Sequence, residues 1–168
     1  MIVIRHARSV VDASVPPEDW ELAPDAPAAA AELGQHLRAK TIIASDERKA
    51  IDTAVALGIG LIGTYAAFRE VTRPWYGDAA GLAQAAARWF AGEGVDGWEP
   101  FADAVARFGR GIEMLDPDGL IVVTHGTVMT AWLTSVGAIE DAFAFWSDLR
   151  MPDAWQVADG VAQRYPAA

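Results

Sequence analysis

The chain has no cysteine at all, and only 13 lysines and arginines and three histidines among its 168 residues. Without cysteine there is no disulfide framework and no thiolate metal site, a composition that fits a reducing compartment. The shortage of cations against 23 acidic residues leaves a formal net charge of −10, which argues against a nucleic-acid surface. Although 52% of the residues are apolar, no unbroken apolar run reaches the roughly 18 residues of a membrane span. No basic segment precedes an apolar one near the start, so a secretory signal is not expected and the expected location is cytoplasmic. No repeat or low-complexity linker divides the chain, and the length predicts a single domain over residues 1–168.

What is present is a set of short, branched, apolar runs that stop at polar clusters. Met1-Ile2-Val3-Ile4 ends at Arg5-His6, and Leu120-Ile121-Val122-Val123 ends at Thr124-His125-Gly126. Such runs read as buried strands delivering their last side chains to a rim. Thr41 to Ala44 is a third strand and the stretch near Thr64 to Ala67 a fourth. Residues 7–26 are polar and contain prolines, reading as a long loop beside the rim. Helices are predicted over Pro27 to Arg38, from Ser45 or Asp46 as cap through Val55, over Ala79 to Ala91, Glu99 to Leu115, and Thr127 to about Val136. In the fourth of these, Phe101, Val105, Phe108, Ile112 and Leu115 recur at helical spacing, and Gly58 and Gly60 close the second. Asp159-Gly160 between Trp155–Val157 and Val161–Arg164 signals a hairpin. The alternation predicts an α/β fold: a three-layer α/β/α sandwich with a mostly parallel central sheet and a C-terminal antiparallel edge hairpin.

In a parallel sheet the strand ends share one side, where ligands bind. That places Arg5 and His6, then Ser45, Asp46 and Arg48, then Arg69 and Glu70, then His125, Gly126 and Thr127 around one crevice. The residue types fit phosphoryl transfer. A neutral imidazole nitrogen can attack phosphorus and carry the phosphoryl group. Arginines, a second histidine and helix N-terminal amides can stabilise the equatorial oxygens. A carboxylic acid such as Glu70, or alternatively Asp46 or Glu47, can protonate the leaving oxygen. Each residue also has a plainer reading: Arg48 pairs with Asp52 one helical turn on, Ser9 caps a turn, Thr127 starts a helix, His125 flanks a helix start. The scheme calls on no metal or organic cofactor, and no metal-ligand spacing is visible.

These four segments, in this order, resemble the histidine phosphatase superfamily, the phosphoglycerate-mutase-like fold, in its branch of small single-domain phosphatases. The Arg-His-Gly signature is seen as Arg5-His6-Ala7 with Ser9 following. The Ser-x-x-x-Arg-x-x-x-Thr-Ala element is matched to residues Ser45 to Ala54, the Glu-containing loop to Phe68-Arg69-Glu70 followed by Trp75-Tyr76-Gly77, and the late His-Gly element to Thr124-His125-Gly126. The resemblance runs from Ile2 to about Trp132. It implies that His6 is the phosphorylated nucleophile, that Arg5, Arg48 and His125 line the phosphate pocket, and that Glu70 is the proton donor; Ser9, through its hydroxyl, and Thr127, through its amide, are further candidate phosphate contacts. It implies no cofactor.

Two positions depart from the pattern. Ala7 replaces a glycine in the loop that holds His6, and Asp12 stands where asparagine is usual, a carboxylate that would weaken anion binding if it pointed inward. The expected activity is hydrolysis of a phosphomonoester, either a small metabolite or a phosphoprotein. Two alternatives are a phosphoglycerate-type mutase and a catalytically impaired protein that only binds a phosphorylated partner.

Overall fold

A computed structural model describes residues 1–38 and 41–165. Six strands form one sheet: β1 (Ile2–Arg5), β2 (Thr41–Ala44), β3 (Leu61–Thr64), β4 (Leu120–Thr124), β5 (Asp153–Ala158) and β6 (Val161–Tyr165). Their order across the sheet is β3-β2-β4-β1-β5-β6, with β3, β2, β4 and β1 parallel and β5 and β6 antiparallel. Among the described residues six helices accompany it: α1 (Ala26–His36), α2 (Arg48–Ala56), α3 (Ala79–Phe90), α4 (Phe101–Glu113), α5 (Gly126–Ser135) and α6 (Ala142–Asp148). Sequence patterning did not foresee α6. Its short Ala-Phe-Ala-Phe-Trp run is less than two turns of apolar residues after Asp141, which caps it by accepting from the Ala144 amide at 2.9 Å.

The alternation of side chains along the central strands divides the interior in two. Ile4, Ile42, Ala44, Ile121 and Val123 face one side and pack against Ala26 and Ala30 of α1 and Ala50 and Ala54 of α2. Val3, Ile43 and Val122 face the other and pack against Trp89 of α3, Phe108 of α4 and Met129 of α5. Both faces of the sheet are thus covered, and every residue of β4 is buried. This is the three-layer α/β/α arrangement expected, with an antiparallel hairpin at its edge. The hairpin turns at Asp159 (φ 51°) and Gly160 (φ 74°), two successive left-handed residues as a two-residue turn of this type requires.

Some boundaries moved. β3 ends at Thr64, ahead of the expected run, and a 3-10 turn (Ala66–Phe68) carries the chain from it toward Arg69 and Glu70. The Ser45 side chain does not cap α2, whose N-cap is Glu47; its oxygen accepts instead from the Glu47 amide at 3.2 Å. α1 and α2 approach so closely that a Cβ on Gly34 would lie 2.0 Å from the carbonyl oxygen of Leu57.

That approach gives a paired test. Gly34→Ala is expected to cost about 1–3 kcal/mol of unfolding free energy or more, because α1 and α2 must separate. Gly109→Ala, in the middle of α4 with no atom within 4 Å of the added carbon, is expected to be neutral or to stabilise by up to about 1 kcal/mol. Urea unfolding of the two variants against wild type checks both signs.

Candidate functional site

Register alone sets three side chains level at the carboxyl edge of the sheet. Arg5 lies opposite Thr124, and Ala44 opposite Val123. The next amides continue the ladder: His6 N–H donates to Thr124 O at 2.9 Å and Ser45 N–H to Val123 O at 2.8 Å. His6, Ser45 and His125 therefore leave the sheet side by side. The two imidazole rings stand 5.1 Å apart, centroid to centroid, at 61°. Both are buried, His125 completely.

The His6 ring is held in one tautomer. Its Nδ1 lies 2.7 Å from the carbonyl oxygen of Ala7, an atom that can only accept, so Nδ1 carries the proton and Nε2 keeps its lone pair. Burial above all, then His125, Lys49 and Arg5, push the His6 pKa well below the ordinary imidazole value, outweighing the opposite pull of the Ala7 carbonyl. Burial likewise lowers His125 to about 3, with Lys49, Arg107 and Arg5 adding to it and Glu70 opposing. Both rings are neutral at pH 7.

Ala7 is compatible with this loop. It has no positive φ, its methyl group is buried in the core beside α2, and its amide donates to Thr53 Oγ1 at 2.9 Å. No glycine is needed where the backbone stays in the ordinary region. Asp12 points away from the rings; its carboxylate accepts from the amide and hydroxyl of Ser14 at 2.8 and 2.6 Å, on the exposed side of its own loop.

A cleft of about 800 Å³ opens above the histidines. Arg5, His6, Ser9, Glu70 and Gly126 line it, together with Lys49 and Glu47. Arg5 is fixed through Nη1 to Leu149 O at 3.0 Å, and its Nε lies so near Gly126 that a Cβ there would be 3.1 Å away. Arg5 Nε and His125 Nδ1 are both buried without a hydrogen-bond partner among the described residues, a costly state for polar atoms. Thr127 itself is buried behind the rim, and it presents only its amide, which donates to Glu70 Oε2 at 3.2 Å.

Arg48 does not reach the cleft. It lies on the exposed side of α2, where Nε pairs with Asp52 Oδ2 at 2.7 Å and the guanidinium approaches Glu21 at 3.7 Å. The plain i, i+4 reading of that residue is the correct one. The cation that enters the site is Lys49, one position on. Counting the Ser-x-x-x-Arg-x-x-x-Thr-Ala spacing from Ser45 to Thr53 places the basic position at 49, so the signal was present in the sequence. Helical rotation of about 100° per residue explains why adjacent side chains part so completely.

Lys49 is buried, paired with Glu47 and donating to Pro17 O at 2.7 Å. Glu47, also buried, accepts the Glu70 amide at 2.8 Å through its other oxygen and lies 3.6 Å from His125 Nε2. Ser45 Oγ sits 2.9 Å from the same Nε2. Glu47 and Lys49 were not singled out as site residues by sequence reasoning beyond Glu47 as a possible acid.

Glu70 is placed by a dense set of backbone contacts. Arg107, paired with Glu99 at 2.7 Å, donates to the carbonyls of Ala67, Arg69 and Glu70 at 2.9, 2.8 and 3.1 Å. Thr124 Oγ1 donates to Phe68 O at 2.7 Å. The Glu70 carboxylate itself accepts from the amides of Val71, Thr127 and Val128 at 2.9, 3.2 and 2.9 Å, two of them at the N-terminus of α5. Burial pulls the Glu70 pKa upward, but His125, Arg73 and the Val71 amide together hold it below the usual carboxylate value. Asp46, the other candidate acid, is taken by a two-pronged pair with Arg69 at 2.6 and 2.7 Å.

Among the described residues, no three His, Asp or Glu side chains gather as a metal-binding group, and no helix is long and apolar enough to cross a membrane.

Comparison with known proteins agrees with this arrangement. The family model for the histidine phosphatase superfamily (branch 1) matches residues 1–154. Among solved structures, a mycobacterial glucosyl-3-phosphoglycerate phosphatase superposes with a TM-score of 0.65 at 23% identity, covering 92% of this chain and 87% of that one. A Thermus thermophilus protein superposes with a TM-score of 0.75 at 19% identity over 98% of both chains. A Bacillus stearothermophilus protein gives 0.70 at 17% identity, over 98% and 95%. A comparison with curated proteins finds no match. With the family match spanning residues 1–154 and the fold shared with these solved structures, this protein belongs to the histidine phosphatase superfamily, branch 1.

Proposed function

We propose that this protein is a phosphatase that hydrolyses a phosphomonoester through a phosphohistidine on His6. The observation that carries the reading is the state of that ring: buried, neutral at pH 7, its Nδ1 proton committed to Ala7 O and its Nε2 lone pair free. Arg5, His125 and Lys49 stand around it as donors, and the mycobacterial neighbour of the same fold is a phosphatase.

In the first half-reaction Nε2 forms a bond to phosphorus as the bond from phosphorus to the leaving oxygen breaks. Arg5 and Lys49 take up charge on the equatorial oxygens, and Gly126, where a Cβ would lie 3.1 Å from Arg5 Nε, leaves the guanidinium its place. The leaving alkoxide needs a proton, and of the carboxyls lining the cleft Glu70 is the one assigned to supply it, since Glu47 is committed to Lys49. In the resting arrangement that carboxylate is ionised, because His125, Arg73 and the Val71 amide together outweigh its burial. A phosphoryl oxygen competing for the amides of Thr127 and Val128 would free one side of it. Burial, the strongest single influence on Glu70, then favours the protonated form, which is the form an acid catalyst needs. In the second half-reaction water attacks phosphorus, the N–P bond breaks, and Glu70 takes the water's proton. The products are the alcohol and free phosphate, whose measurement against isomerised product separates hydrolysis from mutase action.

Three outcomes are expected. A phosphoenzyme stable in alkali and labile in acid should form on wild type and not on His6→Ala, and turnover should vanish with the ring; activity retained in His6→Ala defeats the scheme. Lys49→Ala should lower kcat/KM for 4-nitrophenyl phosphate by about 10²–10³-fold, whereas Arg48→Ala should leave it within about threefold; the reverse ranking defeats the assignment of the cation. Because burial keeps His6 unprotonated as pH falls, its nucleophile persists well below the ordinary imidazole pKa of 6.5. The acid limb of kcat/KM, corrected for the substrate's own ionisation near about pH 6, should therefore fall well under that value. A limb at 6.5 or above would mean an imidazole exposed to water.

A further inference from the structure

We propose that the cleft takes a second anionic group of the same substrate, a carboxylate or another phosphate, at Arg73, so that the substrates are phosphomonoesters whose alcohol part is itself an anion. The proposal rests on the phosphatase reading for the position of the first phosphoryl group. It follows from the partners that each cation of the cleft has or lacks.

Five cationic residues line the space above His6: Arg5, Arg8, Lys49, Arg69 and Arg73. Arg8 is paired with Asp25, Lys49 with Glu47 and Arg69 with Asp46. Arg5 makes no ion pair among the described residues, but it abuts Gly126 and flanks the nucleophile, so the transferred phosphoryl group accounts for it. Arg73 remains. Among the described residues it has no ion pair, its Nε is buried without a partner, and its one hydrogen bond is a long contact of 3.4 Å from Nη1 to Pro74 O. Glu70 feels its charge, but that carboxylate makes its hydrogen bonds to three amides rather than to the guanidinium.

The surroundings keep Arg73 in place. Its guanidinium lies 5.7 Å from the centre of the Trp98 ring, an orientation that favours a cation over the ring face. Trp98 Nε1 donates to Tyr76 Oη at 2.9 Å, which leaves the Tyr76 hydroxyl proton available on the same wall of the cleft. The segment itself is pinned, with the Glu99 amide donating to Thr72 O at 2.7 Å. A guanidinium and a phenol proton fixed against one indole form a preorganised pair of donors for an oxyanion. Apolar side chains share the lining, with Trp20 and Trp75 meeting edge to face at 5.2 Å and Val71 and Leu82 beside them, and the carboxylates of Glu18, Glu47 and Asp78 line the same cleft. A volume of about 800 Å³ is that of a site for a whole organic molecule, of which the phosphoryl group fills only one end.

The test uses phosphonates, which bind without being hydrolysed, and titration calorimetry on the full chain. Benzylphosphonate is compared with its meta- and para-carboxy derivatives and with the meta- and para-xylylene bisphosphonates. At least one anionic derivative should bind about tenfold or more tightly than the parent, and the ratio should collapse toward one in Arg73→Gln. Whether the carboxylate or the bisphosphonate arm gains more identifies the second group. No gain in any derivative, a gain that survives Arg73→Gln, or no binding of the whole series overturns the proposal. Turnover of phenyl phosphate is followed in parallel: its absence alongside intact discrimination removes the phosphatase reading and leaves the anion site standing.

Discussion

The buried carboxylate of Glu47 ties together the segments from which the site is made. One oxygen holds the Lys49 ammonium, which in turn grips Pro17 O in the long loop after β1; the other holds the Glu70 amide and lies near His125. A charge in that position is tolerable only because each of its oxygens has a partner. The same atoms fix where the basic group stands, where the acid segment begins and how the second imidazole is flanked. Removing that carboxylate would leave a buried ammonium facing two neutral rings, a state far costlier than the loss of one surface pair.

Around this knot the site separates two duties between two kinds of contact. Backbone ladders and register bring His6, Ser45 and His125 level, so the position of the His6 ring follows from the sheet. Side-chain donors to carbonyls, chiefly Arg107 and Thr124, bring in the Glu70 segment, which no strand delivers directly. The two departures from the family pattern fall on neither. Ala7 keeps the ordinary backbone region and fills core space, and Asp12 turns to Ser14, so the site tolerates both without rearrangement.

The parts of the fold governed by hydrophobic periodicity were legible in the sequence. Branched runs ending at Arg5-His6 and Thr124-His125 marked buried strands, and the four-three spacing from Phe101 marked α4. Asp159-Gly160 marked the edge hairpin. What escaped was decided by geometry that no period encodes. β3 and the turn after it are too short and too Gly- and Ala-rich to place the strand end, and α6 is too short to show a stripe. Of the candidate residues read from strand ends and motif order, Arg5, His6, Ser9 and Glu70 line one cleft, and His125 packs against the His6 ring. Arg48 was matched to the arginine of the motif, although the spacing from Ser45 to Thr53 puts the basic position at Lys49, and the phase of α2 turns Lys49 inward. Glu47 was legible only as one acid among several, since a buried carboxylate looks like any helix-start charge until its partners are seen.

The place of β4 in the sheet has a consequence for how the molecule comes into being. Although it is the last of the parallel strands in the chain, it lies between β1 and β2, which never touch each other. A nascent chain therefore emerges from the ribosome with its first two core strands lacking their common neighbour, and they stay so until residue 124 is out. The early helices can form locally, but the sheet closes late, through contacts of long sequence separation that fold slowly. An amino-terminal fragment that stops before residue 125 cannot bring the two imidazoles together, because they meet only when that central strand slides into the gap.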